Sequence, residues 1–342
     1  MLNKILIIRF SSFGDVTQTL SVPSKLTELK AEIHWVTRSD FAPLLDGHPH
    51  IHKIWKLNKS EGLSALFLLI QSLKNENFTH IYDAHNNLRS RIICFFLAPP
   101  ILRYFMNIQF IRKSQKRWKR LLLFQFRKNT YKMPFSGQRD LLEPLAQWGI
   151  SDQLPLTPQI FINKAADQFV QNLLSEKQIK NYICFAPSAA HLLKRWPMEH
   201  WEKLISLNQK MKWLALGGPE DLFIEALVRK FPNQVLNFAG QTNYQQTTSL
   251  IAHSKCLVTN DTGVLHIAEQ LGHPALALMG PAPFGFPSRQ STKILELKLE
   301  CRPCSKHGQG PCTNTIYQKC LKEITPDTVS IELQKILGQS SS

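Results

Sequence analysis

The 342-residue sequence has no apolar run near the ~20 residues needed to cross a bilayer as a helix. Leu66-Phe67-Leu68-Leu69-Ile70 and the stretch from Ile92 to Ala98 are too short. The run Ile5-Leu6-Ile7-Ile8 is too short for a secretory signal core and leads into Arg9 and Asp15. These absences predict a cytosolic chain. No G-x-G-x-x-G fingerprint follows that run, because Arg9-Phe10-Ser11-Ser12-Phe13-Gly14-Asp15 holds a single glycine. No short-period solenoid repeat and no nucleic-acid-binding motif is present. Acidic residues are scarce: 25 Asp and Glu face 41 Lys and Arg, a net charge of +16. That excess points to an anionic partner, whether nucleic acid, anionic lipid or a phosphorylated substrate. Seven cysteines in a cytosolic setting argue against stable disulfides. Four of them, Cys301, Cys304, Cys312 and Cys320, cluster late in the chain. Cys301-Arg-Pro-Cys304 lacks a second CxxC, so zinc ligation and independent reduced thiols both stay open.

What is present alternates. Ile5–Ile8, Ile33–Thr37 and Ile81–Asp83 read as strands, and Leu63–Leu73 suits a helix. Gly149–Pro158 is looser and separates the halves. Tyr182–Ala186, Lys212–Leu216, Val235–Phe238, Cys256–Val258 and Ala275–Met279 read as strands of the second half. The hydrophobic content of 43 % is normal for a globular chain. Such alternation predicts an α/β protein of parallel sheets with crossover helices. The expected architecture is two Rossmann-like domains facing across a cleft, residues 1–165 and 166–342.

Asp261-Thr262-Gly263 falls where a strand ends and a helix begins, since Val264, Leu265, Ile267, Ala268 and Leu271 repeat at helical spacing. A helix start offers free backbone N–H groups and a positive dipole end, and glycine lets an anion approach. The turn therefore reads as a phosphate cradle, with His266 one turn in. Its competitor is plain capping by Asp261 or Thr262, with His266 an ordinary helix histidine. Asp15 has the same ambiguity at the end of the first strand: a site-mouth acid or a first-turn cap. In the second half, Ser188 and Lys194 follow a strand and suit a pyrophosphate. Glu220 or Asp221, after Gly217-Gly218, suits a ribose or simply a helix start.

Ten of the basic residues lie between Arg103 and Lys132, interleaved with Trp118, Leu121, Leu122, Leu123, Phe124 and Phe126. A basic segment with an apolar face fits an anionic membrane surface or lipid headgroup, or else a solvated helix face.

Together the pieces resemble glycosyltransferase family 9, the ADP-heptose:lipopolysaccharide heptosyltransferases. The resemblance spans nearly the whole chain. It rests on Ile7–Val16, Lys194-Arg195-Trp196-Pro197, and Asp261-Thr262-Gly263 with His266, Ala268, Leu271-Gly272 and Pro274. The Cys301-Arg-Pro-Cys304 tract looks like that of heptosyltransferase II-type members. The resemblance implies a GT-B fold, with an N-terminal acceptor domain and a C-terminal nucleotide-sugar domain. It implies inverting transfer from ADP-heptose with no cofactor and no metal. Asp15 would be the general base. Ser188, Lys194, Glu220, Asp261, Thr262, Gly263 and His266 would meet the donor. Ser11, Ser12, Arg117 and Arg120 would meet an anionic lipopolysaccharide-precursor acceptor at the inner face of the cytoplasmic membrane. Ser188 departs from the glycine of many members.

The chemistry is self-consistent. Displacement at an anomeric carbon needs a base on one side and charge stabilisation at the leaving diphosphate on the other. Base and cradle on separate domains would let closure exclude water. The competing readings are a nucleotide-sugar epimerase or other non-transferase of the same fold, and a non-catalytic binder of anionic glycolipid.

Overall fold

The computed structural model describes residues 3–58, 60 and 62–339. The chain divides into two compact units, Met1–Lys116 with Gln138–Phe161, and Arg117–Gly137 with Ile162–Ser342.

The first unit holds a five-stranded sheet of β1 (Asn3–Ile8), β2 (Ala31–Arg38), β3 (Lys53–Leu57), β4 (His80–Asp83) and β5 (Gln109–Arg112). Its order is β3-β2-β1-β4-β5 and every pairing is parallel. β1 is central because Ile5 to Ile8 are apolar without interruption, and both of its faces are covered. Ile5 lies opposite Ile33 on one side and His80 on the other. Leu6 and Ile8 pack with Val36, Leu66, Leu73, Ile81 and Ile93. Each such fully buried aliphatic side chain contributes about 1.5–3 kcal/mol. The helix expected at Leu63–Leu73 spans Gly62–Lys74 and buries Leu66, Leu69, Ile70 and Leu73.

The second unit holds β6 (Tyr182–Ala186), β7 (Lys212–Ala215), β8 (Val235–Asn237), β9 (Leu257–Asn260), β10 (Ala275–Met279) and β11 (Thr292–Glu296). Their order is β11-β10-β9-β6-β7-β8, again parallel throughout. Trp196, Trp201 and Trp213 pack with Phe185 in its core.

Chain direction across the sheet reverses between β1 and β4 in the first unit and between β6 and β9 in the second. Loops leaving the carboxyl ends of strands at such switch points form the ligand crevices of parallel sheets. Those loops contain Arg9–Asp15 and His85 in one unit, and Pro187–Ser188 and Asp261–Gly263 in the other. Among the described residues no helix is long and apolar enough to cross a membrane.

Candidate functional site

At the switch point of the first unit, Ser12 is the N-cap of helix Phe13–Thr19 and Asp15 stands in its first turn. The Ser12 backbone N–H and hydroxyl donate to Asp15 Oδ2 at 3.2 and 2.8 Å. Arg9 Nη2 meets the same oxygen at 2.7 Å. Arg9 is itself buried and donates through Nη1 to the Ala84 carbonyl at 2.7 Å. The capping role of Asp15 is therefore real. It does not use up the carboxylate, whose side chain keeps 48 % of its surface in water. Partial withdrawal from water opposes ionisation. Arg9, the two Ser12 hydrogen bonds and the charge of Lys113 outweigh that and hold the carboxyl at about 2. Asp15 is thus fully ionised at neutral pH and only weakly basic.

Sequence reasoning passed over two neighbours of Asp15. For Arg9 the signal was a cation directly after an apolar strand. His85 sits in the turn after β4, its ring edge-on to Phe10 at 5.6 Å. Burial pushes His85 down to about 4, and the Arg9 charge adds to it, so the ring is neutral at pH 7. Nothing local in the sequence marks it, because its position depends on β4 lying beside β1.

The second switch point is held by Asn260 at the end of β9. Its side-chain amide donates to the Pro187 carbonyl at 2.8 Å, and its oxygen accepts from the Trp196 backbone at 3.1 Å. One buried residue thus ties the loop after β6, the entry to the next helix and the Asp261 turn together. Nothing in the sequence around Asn260 marks it for this role. Lys194 Nζ pairs with Asp261 Oδ2 at 2.8 Å, with only 15 % and 6 % of the two side chains exposed. Asp261 is not the cap of helix Gly263–Leu271. Thr262 holds that position without a side-chain cap hydrogen bond, its hydroxyl instead meeting that of Thr259 at 3.1 Å. The first-turn N–H groups are therefore left unanswered by the cap side chain, and Lys194 pairs with the residue just before that cap. Gly272 ends the helix at φ +73°, a conformation that favours glycine.

His266 is buried, with Nδ1 3.7 Å from Glu269 Oε2. Fully buried Glu269 accepts the backbone N–H groups of Ser288 and Arg289 at 2.6 and 2.8 Å. The helix thereby fixes the loop that carries Gly285. A Cβ at Gly285 would lie 1.8 Å from Asp261 Oδ1, so this glycine lets the loop close over the acid. Ser188 donates to Asp221 Oδ1. Asp221 is buried and also accepts the Gly218 N–H at 2.9 Å, with Arg195 at 3.7 Å. Asp221 is thus a structural acid of the Gly217-Gly218 turn, while Glu220 is exposed.

The basic segment does not form one face. Lys113 and Lys116 are tied to Asp140, Lys116 also to Glu143, and Arg112 meets buried Asp83 at 2.7 Å, all in the first unit. Arg117–Gly137 belongs to the second unit. There Phe124, Tyr131 and Phe135 pack edge-on against Phe284, and the Arg120 guanidinium lies 5.3 Å from that ring. Ser136 donates to Ser288 at 2.7 Å, and Arg127 to the Pro303 carbonyl at 2.7 Å. Arg117 is exposed and Arg120 half-buried on this strap.

Among the described residues no three His, Cys, Asp or Glu side chains are grouped to hold a metal ion. Cys301, Cys304, Cys312 and Cys320 are free thiols, the first three half-buried and Cys320 buried. Cys312 Sγ accepts the Gln318 backbone N–H at 3.3 Å, and Cys301 Sγ accepts from Asn314 at 3.4 Å. Gln318 in turn donates to the Leu192 carbonyl at 2.7 Å and the Arg195 carbonyl at 3.3 Å, on either side of Lys194. Gly308, at φ +85°, lies against the Lys194 stem, where a Cβ would come within 2.6 Å of Cγ. The cysteine-rich loop is a brace for Lys194, which its cysteine spacing did not announce.

The chain is similar to known proteins over its whole length. The model of glycosyltransferase family 9 (heptosyltransferase) matches residues 66–311. Lipooligosaccharide heptosyltransferase 2 of Haemophilus ducreyi is 28 % identical over 360 residues, covering 98 % of this chain and 99 % of that protein. The structure of Escherichia coli ADP-heptose LPS heptosyltransferase II superposes with a TM-score of 0.72 at 23 % identity, covering 99 % of this chain and 100 % of that one. A glycosyl transferase family 9 structure from Veillonella parvula DSM 2008 gives 0.79 at 19 % identity, with 98 % of each chain covered. With two parallel sheets, a carboxylate at one switch point and a lysine-backed helix start at the other, the chain belongs to glycosyltransferase family 9 and is a heptosyltransferase-family enzyme of the GT-B fold.

Proposed function

We propose that the protein transfers a heptose from ADP-heptose to the phosphorylated inner core of a lipopolysaccharide precursor, with inversion and without a metal. The observation that carries this reading is the Lys194–Asp261 pair beside the uncapped first turn of helix Gly263–Leu271. A half-buried lysine and a helix start whose cap side chain makes no hydrogen bond to it supply what a leaving diphosphate requires. Thr262 and Gly263 form that helix start and Asp261 orients Lys194. Ser188, Glu220 and His266 complete the donor contacts, with exposed Glu220 on the ribose.

In the first unit Asp15 accepts the proton of the acceptor hydroxyl as that oxygen bonds to the anomeric carbon. The bond from that carbon to the ADP oxygen breaks, and ADP leaves. A carboxylate held near 2 is a weak base, so proton acceptance comes late, when the sugar–diphosphate bond has lengthened. Ser11, Ser12, Arg117 and Arg120 contact the acceptor and its anionic groups. The enzyme works at the inner face of the cytoplasmic membrane, where a lipid-borne acceptor resides. ADP release should appear with ADP-heptose plus a truncated-core acceptor, persist in EDTA, and be negligible without acceptor. Full donor turnover without acceptor would overturn the transferase assignment. Activity restored only by added Mg²⁺ would overturn metal independence.

A further inference from the structure

The first unit leaves large apolar side chains in water on the outer faces of three consecutive helices, Gly62–Lys74, Leu88–Leu97 and Leu102–Phe105. Leu63 is 64 % exposed, Phe95 58 %, Tyr104 88 % and Phe105 79 %. The first two helices share a face, and the short third helix follows directly on the second. Phe67 and Phe95 each meet the Phe96 ring edge-on at 5.6 Å, and the Lys74 ammonium lies 5.5 Å from that ring. Arg103 ties the short helix to the end of the preceding one, its backbone N–H donating to the Pro99 carbonyl at 3.0 Å and its Nε to the Ala98 carbonyl at 2.8 Å.

Among the described residues of these helices the exposed charges have one sign. Lys74, Arg89 and Arg91 are exposed. Residues 62–107 include two carboxylates, and neither is available. Glu76 is held by Lys4 at 2.9 Å and Lys53 at 2.7 Å, and Asp83 is fully buried. Exposed aromatic rings rimmed by cations alone call for a partner that is apolar within and negative at its surface. An anionic bilayer has both properties: rings settle at headgroup depth and ammonium and guanidinium groups meet phosphates. We propose that this face, rather than the Arg117–Gly137 strap, docks the enzyme on an anionic phospholipid bilayer. The proposal rests on the reading that the acceptor is lipid-borne.

The test is co-sedimentation with vesicles of equal parts phosphatidylethanolamine and phosphatidylglycerol. The combined variant Phe95→Ser, Tyr104→Ser and Phe105→Ser changes only exposed side chains. It should keep the parent's unfolding midpoint, ADP affinity and turnover of a deacylated, water-soluble acceptor. Its vesicle binding should fall about tenfold or more, since each ring removed forfeits apolar burial in the bilayer. Its KM for vesicle-inserted acceptor should rise in step. Parent binding to phosphatidylcholine alone should be weak. If the variant sediments with anionic vesicles as the parent does, the face is overturned and membrane attachment elsewhere survives. If the parent binds no vesicles, the membrane reading falls with it, while transfer to the deacylated acceptor stands by its own assay. A parent dimer that the variant abolishes, with vesicle binding intact, would assign the face to a second copy instead.

Discussion

At the switch point of the first sheet Asp15 meets Arg9 at 2.7 Å with 48 % of its own side chain in water; at the second, Asp261 meets Lys194 at 2.8 Å with only 6 % exposed. Both are acid–base pairs on the same kind of loop. They differ in which partner is presented. In the first unit the cation is buried and the carboxylate faces solvent, where a hydroxyl can reach it. In the second the carboxylate is enclosed under Gly285 and serves the lysine. On the proposed function, equivalent topological positions would offer a proton acceptor in one unit and a fixed positive charge in the other. An ion pair is read for function by asking which member remains accessible.

The comparison breaks most sharply at Asp15. Asp15→Asn keeps the shape and most of the capping geometry but removes the proton acceptor. Turnover should fall by roughly 10²–10⁴ while ADP affinity stays level. A variant within a factor of a few of the parent would reduce Asp15 to a helix cap. The ionisation also fixes a pH expectation. Because Asp15 is held at about 2, it contributes no acidic limb to the pH–rate profile between pH 5 and 8. An acidic limb in that range that disappears in Asp15→Asn would show a much more basic carboxylate than this ion pair allows.

Lys194→Ala should weaken ADP binding by about 10–100-fold, the cost of a lost charge-assisted contact to phosphate. It also strands Asp261 as a buried, unpaired carboxylate, which destabilises the fold. Adding Asp261→Asn should restore the unfolding midpoint without restoring ADP affinity. That separates the lysine's binding role from its structural one. Calorimetry in EDTA reads both variants. Recovery of ADP affinity in the double variant would make Lys194 a structural residue only.

Much of this was legible in the sequence. Ile5–Ile8 and Ala275–Met279 announced buried parallel strands because both faces of a central strand demand apolar residues. The strands that went unread, β3, β5 and β11, all lie at sheet edges. Their sequences, Lys-Ile-Trp-Lys-Leu, Gln-Phe-Ile-Arg and Thr-Lys-Ile-Leu-Glu, mix charge with apolar residues because one side meets water. The Asp261 turn was legible as a strand-to-helix junction. Whether Asp261 capped that helix was not, since the answer depends on Lys194, 67 positions away by the numbering (261 − 194). The Arg103–Lys132 run read as one basic segment because composition cannot see that Lys113 and Lys116 are neutralised by Asp140. Nor can it see that Phe124 is committed to Phe284.

A smaller effect is expected at the brace. Gln318→Ala removes the donor to the carbonyls flanking Lys194 but touches no ligand, so ADP affinity should drop by about three- to tenfold, the worth of a single hydrogen bond. Turnover at saturating donor should stay near that of the parent. Gly308→Ala should do more, because it adds a Cβ against the Lys194 stem at a positive φ. A change in KM for acceptor with none for donor would remove the brace from the donor site.

The last expected effect is one of stability and separates the units by pH. His48, buried in the first unit, packs edge-on against Phe161 at 5.2 Å and accepts the His50 N–H at 3.2 Å. Burial pushes it from 6.5 down to about 4, and the neighbouring His50 adds to the shift. The folded state therefore binds fewer protons than the unfolded chain between those values. The stability this neutral ring confers is complete above pH 6.5 and is lost progressively as the pH falls toward 4. The loss amounts to roughly 2–3 kcal/mol at the lower end if the whole shift is realised. His48→Gln should lower stability at pH 7 modestly and flatten its decline on acidification. The decline should be read by fluorescence of Trp35, buried in the first unit, against Trp213, buried in the second. An unchanged acid slope in His48→Gln would assign the pH sensitivity to another group.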